Sequence, residues 1–184
     1  MRAESCRGQG IENVKNLTKA RQLDRPPPSA EPAPMPRLYF AYGSNMDPEQ
    51  FRGRCPNSRV MSTAALAAHR FIITARGYAS IEPHVGSLVQ GVLFELTEAD
   101  EAALDYFEGV RHFIYRKESM MVGWAGGEVT ALVYVDNETA HGRPKPGYLE
   151  RVLRGARHHG LPPHAVQEIQ GWDLVEGLDQ PSNF

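Results

Sequence analysis

The sequence predicts an α+β domain whose short strands can curl into a small barrel. Three observations carry that expectation. Strand-rich runs are punctuated by glycine, successive runs are separated mostly by turns rather than by crossover helices, and no repeat period is present. A doubly wound parallel sheet would need a helix between nearly every pair of strands. At 184 residues the chain suits one domain of ordinary size with a sizeable core.

Residues 1–36 stand apart. Pro26, Pro27, Pro28, Pro32, Pro34 and Pro36 crowd into a stretch with only scattered apolar residues before it. Such a segment cannot bury enough apolar surface to offset its ordering entropy, so it is expected to be a disordered tail. The globular domain is then expected over 37–176, with a short C-terminal tail at 177–184.

From Arg37 the pattern turns globular. Arg37–Tyr42 is rich in strand formers and stops at Gly43. Asp47 offers an N-cap, Pro48 a first helical position and Gln50 the return bond of a capping box. Phe71–Thr74 reads as a strand, and Leu88–Leu96 as a longer one interrupted at Gly91. Thr97 caps a helix that runs to Glu108 and closes at Gly109. Phe113–Val122 and Glu128–Val135 pair as a hairpin across Trp124–Gly127. Leu149, Val152, Leu153 and Ala156 recur at helical spacing and mark an amphipathic helix ending at Gly160. Pro163–Ile169 reads as a last helix.

Composition excludes several classes of function. With 20 Lys+Arg against 22 Asp+Glu there is no basic excess to meet a nucleic-acid backbone. No run approaches the ~20 apolar residues of a membrane span; the longest small apolar run is Ala64–Ala68. The N-terminal residues show no apolar segment of a secretory signal, and Cys6 and Cys55 frame no disulfide scaffold. The expected compartment is the cytoplasm. His158 and His159 are adjacent, so they diverge on a helix, and neither His-Glu-x-x-His nor Cys-x-x-Cys spacing occurs. No metal site is expected.

Three features can carry chemistry. In Tyr39–Asp47 a strand ends, a glycine bends the chain, and a capped helix begins. That gathers backbone N–H groups at one spot, suited to an anion or a developing oxyanion. It is neither a Walker loop nor a nucleophile elbow. The second feature is Glu108. At 100° per residue, Leu104 and Phe107 lie roughly 40° and 100° to one side of it, so it sits at the edge of the apolar helix face. Partial burial and the negative end of the helix should both raise its pKa, which suits a proton shuttle near neutrality. Tyr115 and Tyr148 are the third, able to turn a hydroxyl into a pocket. Taken singly, these are equally a plain turn, a surface glutamate and two core aromatics.

Taken together they resemble the γ-glutamylcyclotransferase family, which includes the AIG2-like proteins. The likeness is carried by Leu-Tyr-Phe-Ala-Tyr-Gly-Ser-Asn at 38–45 and Leu-Asp-Tyr-Phe-Glu-Gly-Val at 104–110. Tyr115, Pro-Gly-Tyr148 and His-Gly-Leu-Pro162 add to it, in order, from about Leu38 to Trp172. The resemblance implies a small mixed β-barrel with a few peripheral helices, and release of a γ-glutamyl group as cyclic 5-oxoproline without metal or organic cofactor. It implies that Tyr39, Phe40, Ala41, Tyr42, Gly43, Ser44 and Asn45 hold the γ-glutamyl moiety. Glu108 matches the catalytic carboxylate, Tyr148 a substrate-contacting tyrosine and Tyr115 a pocket tyrosine. Glutathione-specific relatives carry a Gly-Ser-Leu loop, from which Asn45 departs. The expected partner is a small γ-glutamyl amino acid or amine, with the choice made by Gly77–Gly86 at the pocket mouth. Two other classes stay open: a non-catalytic γ-glutamyl binding module, and a serine hydrolase using Ser44 with a histidine base.

Overall fold

The computed structural model describes residues 37–173; the expected tails lie outside the described residues, as does the end of the expected domain. Five strands are present among the described residues: β1 (Arg37–Ala41), β2 (Arg59–Ile73), β3 (Ala79–Leu96), β4 (Tyr115–Trp124) and β5 (Gly127–Asp136). They close into a barrel in the order β1-β3-β2-β4-β5. The seam between β1 and β5 is parallel and the other pairs are antiparallel, so the barrel is mixed, as expected. Among the described residues four α-helices accompany it: α1 (Pro48–Arg54), α2 (Glu98–Phe107), α3 (Tyr148–His158) and α4 (Pro163–Gly171).

The start and stop signals of α2 act where the sequence put them. Thr97 accepts from the Asp100 amide at 3.2 Å to start α2. Gly109 closes it in the left-handed conformation at φ +63°, which a side chain would strain. The apolar face of α3 is buried from Tyr148 to Ala156, as its spacing predicts. The core is continuous, with Phe40, Phe94, Leu93, Leu96, Leu104 and Val133 among its fully buried side chains.

The long hairpin differs from expectation. β2 starts at Arg59 rather than Phe71, and β3 at Ala79 rather than Leu88. The missed part of β2 is alanine-rich, with low intrinsic strand preference, and pairing with β3 overrides that preference. Ala67 pairs with Leu88 but His69 with Pro83, so Ala68 faces a four-residue excursion, His84–Ser87. Ala68 itself is left-handed at φ 57°, the irregularity that hid the strand. Gly91 does not interrupt β3. A Cβ there would stand 2.3 Å from the Ala41 carbonyl oxygen, so glycine lets β1 and β3 meet closely. The β4–β5 hairpin begins two residues late, at Tyr115, because Phe113 is left-handed and ends a 3-10 turn.

Candidate active site

The bend after β1 is built as a 3-10 turn, Ser44–Met46, followed directly by α1. Asp47 caps α1 by accepting from the Glu49 and Gln50 amides at 3.1 and 2.9 Å. α3 clamps the turn from outside. A Cβ on Gly155 would lie 2.5 Å from the Met46 carbonyl carbon, so only glycine permits that approach. The capping box expected at Gln50 does not close. Its side-chain amide turns instead to Ser44 Oγ at 2.9 Å and Asn45 Oδ1 at 3.2 Å.

Asn45 joins this turn to Glu108, the residue at the end of α2. Its Nδ2 donates to Glu108 Oε1 at 2.9 Å and to the Tyr39 hydroxyl at 2.8 Å. Its Oδ1 accepts from Arg54 Nη1 at 2.7 Å as well as from Gln50, so the amide cannot flip without losing contacts on both sides. Arg54 Nη1 also stands 3.5 Å from Glu108 Oε1, and its guanidinium lies over the Phe107 ring. The Glu108 side chain is only 14% exposed. Burial raises its pKa; Arg54 and the Asn45 bond oppose this, and Asp136 adds to the rise, leaving the carboxyl above its ordinary value.

Two chambers meet at Glu108. The inner recess, of about 30 Å³, is lined by Tyr39, Tyr42, Gly43, Ser44, Asn45, Ala79, Glu108, Tyr115, Tyr134 and Tyr148. An outer chamber of about 370 Å³ shares Ser44, Glu108, Tyr115 and Tyr148 with it and opens toward Gln50, Arg54, Tyr78 and Arg151. Tyr115 donates to the Ala79 carbonyl at 2.8 Å and Tyr42 to the Tyr134 carbonyl at 2.6 Å. The Tyr148 hydroxyl accepts from the Ala79 amide at 3.0 Å, as Tyr39 accepts from Asn45, so both keep a proton to give. Burial pushes Tyr148 up to about 12 and raises Tyr39, Tyr42 and Tyr115 too, so these phenols stay protonated.

The residues singled out in the sequence therefore converge, with two exceptions. Phe40 and Ala41 line neither chamber. They are buried strand residues paired with Leu93 and Val92, and Phe40 packs over Gly91. Of the expected binding run Tyr39–Asn45, the structure brings Tyr39, Tyr42, Gly43, Ser44 and Asn45 to the inner recess and leaves Phe40 and Ala41 in the sheet. The Gly77–Gly86 expectation is also narrowed: only Tyr78 and Ala79 reach a chamber, because from Ala79 onward the chain runs away as β3. Sequence reasoning missed Gln50, Arg54, Tyr134 and Arg151. Gln50 and Arg54 are four apart on the helix that follows the loop, a spacing that puts both on one face. Neither chamber is lined by a histidine, which leaves Ser44 without a base of the expected kind. Among the described residues no three His, Cys, Asp or Glu gather as a metal site, and no helix is long and apolar enough to cross a membrane.

The chain belongs to the gamma-glutamyl cyclotransferase, AIG2-like family, whose sequence profile matches residues 39–153. A Mus musculus protein named gamma-glutamylcyclotransferase is 28% identical over 144 residues, covering 72% of this chain and 77% of its own length. The Bos taurus protein of that name is 30% identical over 136 residues, covering 68% and 72%. A solved structure named gamma-glutamyl cyclotransferase superposes with a TM-score of 0.71 at 24% identity, over 80% of this chain and 94% of that one. A Homo sapiens protein, solved as an uncharacterized protein, gives 0.69 at 25% identity over 82% and 91%.

Proposed function

We propose that the chain releases 5-oxoproline from a γ-glutamyl amino acid or amine, with Glu108 as general acid and base. One observation carries this reading: Glu108 stands at the junction of the two chambers, largely shielded from water, with its pKa raised and, among the described residues, only Oε1 engaged by neighbouring donors. A γ-glutamyl amide contains its own nucleophile, the α-amine, so the chemistry is intramolecular. Folding the chain so that this nitrogen meets the γ-carbonyl can contribute roughly 7–11 kcal/mol.

The α-nitrogen arrives as an ammonium and passes a proton to the Glu108 carboxylate. The freed amine attacks the γ-carbonyl carbon, forming the five-membered ring and a tetrahedral oxyanion. As the old amide C–N bond breaks, Glu108 returns its proton to the leaving nitrogen. In all, two protons leave the α-nitrogen and two reach the departing amine, Glu108 carrying them in turn; no water is consumed. Gly43, Ser44 and Asn45 supply amides at the start of a 3-10 turn, whose first N–H groups have no partner within the turn. The spare protons of Tyr39 and Tyr148 can serve a carboxylate or the oxyanion.

The test is 5-oxoproline release by the purified chain. γ-Glutamyl dipeptides should be turned over, and α-glutamyl dipeptides should be inert, because attack there would require a three-membered ring. Turnover of both at similar rates would exclude self-cyclisation.

A further inference from the structure

The outer chamber has a lopsided chemistry that the proton shuttle does not use. The charge of Arg54 is answered by Glu108 and Asn45. That of Arg151, on α3, is not: its Nη1 donates to Gln50 Oε1 at 2.9 Å, and no carboxylate among the described residues lies within ion-pair distance. Gln50 is held from behind, since its Nε2 bridges Ser44 and Asn45, which leaves its one oxygen for Arg151. The guanidinium is thus steadied at the chamber by a residue that touches the candidate site. Tyr78, Phe107 and Ile114 line the same chamber and stay 37%, 50% and 38% exposed, large apolar surfaces that the described residues leave open. Lys145 Nζ, 4.4 Å from the centre of the Tyr78 ring, adds a second positive charge at this edge.

We infer that the outer chamber receives the leaving amine as an α-amino acid with a bulky apolar side chain, Arg151 taking its carboxylate. Phe107, Ile114 and Tyr78 take the side chain. This rests on the γ-glutamyl reading above. Because Glu108 lines both chambers, the bond to be broken stands between them; with the glutamyl part at the Gly43–Asn45 turn, the amine side extends outward. An amine without a carboxylate leaves Arg151 unanswered, and a small amino acid leaves the apolar walls in water.

The experiment compares kcat/KM for three substrates in the full chain: γ-glutamyl-phenylalanine, γ-glutamyl-phenethylamine, which lacks only the carboxylate, and γ-glutamyl-glycine. Phenylalanine should exceed phenethylamine by about tenfold, the usual weight of a charge-assisted bond at a half-open site, and should also exceed glycine. In Arg151→Met the phenylalanine-to-phenethylamine ratio should fall toward one, mainly through KM, and Arg151→Lys should restore part of it. An equal loss on both substrates would assign Arg151 to the glutamyl carboxylate or to the fold and overturn the inference. So would a wild-type preference for phenethylamine or glycine, a result that needs no variant. Turnover of none of the three, with 5-oxoproline still released from other γ-glutamyl dipeptides, would overturn this inference alone; inactivity on every γ-glutamyl dipeptide would overturn the γ-glutamyl reading, and this inference with it.

Discussion

Asp47, fully buried, and Glu108, with a side chain 14% exposed, each have an arginine beside them, and the fold treats them in opposite ways. Both oxygens of Asp47 are occupied: Oδ1 by the Glu49 and Gln50 amides, Oδ2 by Arg154. Burial alone would raise its pKa, but Arg154 and the two amides outweigh it, so the carboxyl sits below the ordinary aspartate value. Among the described residues only Oε1 of Glu108 is engaged, by Asn45 and, at a longer 3.5 Å, by Arg54. There burial wins. The number of donors, rather than the presence of an arginine, separates a carboxylate that joins two elements from one free to exchange a proton.

The largest effect expected from this contrast belongs to Glu108→Gln. The amide keeps the size of the side chain and a partner for Asn45 but cannot accept a proton. General-base contributions of 10²–10⁴-fold imply that 5-oxoproline release falls at least about 100-fold, while the thermal midpoint holds. Retention of more than a tenth of the activity would mean that another group moves the proton, and the contrast would lose its functional half.

Asp47→Ala should do the reverse. It removes a helix cap and strands two amide donors, together about 2–3 kcal/mol, which lowers the midpoint by roughly 4–12 °C for a chain of this size. Turnover per folded molecule should change only a few-fold. The acid side of the stability curve gives a second reading. A carboxylate with a lowered folded pKa stabilises above its unfolded value, about 3.9, and that stability is lost as pH falls through the folded pKa. The wild type should therefore lose stability on acidification below about pH 4, and Asp47→Ala should lack that share of the decline. Equal acid sensitivity in the two would show that Asp47 is not the joint its hydrogen bonds describe.

Much of this corner was legible in the chain. The cap at Asp47, the closure of α2 at Gly109 and the placement of Glu108 at the edge of the helix face all follow from local rules, because each depends on residues within one or two turns. The Tyr-Gly-Ser-Asn bend was legible for the same reason. What was not legible depends on pairing across long separations. The alanine-rich half of β2 becomes a strand only against β3, and Gly91 looks like an interruption until Ala41 and Phe40 are brought over it. No local rule reads the ties of α2 to the barrel: Lys117 reaches both Glu101 and Asp105, and Asp105 accepts from the Tyr134 hydroxyl at 2.7 Å, at the wall of the inner recess. Phe40 and Ala41 were carried along by a motif read as one unit, although Tyr39 and Tyr42–Asn45 line the recess and these two do not.

The smallest effect, and the one that sharpens the contrast most, concerns Arg54. Glu108 must be deprotonated to accept the ammonium proton, so the acid limb of kcat/KM should lie above the ordinary glutamate value of about 4.3. Arg54 works against that rise in two ways: directly, by its charge, and through Asn45, whose Oδ1 it holds while Nδ2 donates to the carboxylate. Arg54→Met removes the charge and keeps an apolar stem against Phe107, so the acid limb should move to higher pH while the plateau above it changes less. Arg54→Lys keeps the charge but not the planar fork that reaches Asn45, and should fall between the two. A limb that stays put, or moves toward lower pH, would mean that the arginine does not set the proton affinity of Glu108. Saturation by donors would then be the whole of the difference from Asp47.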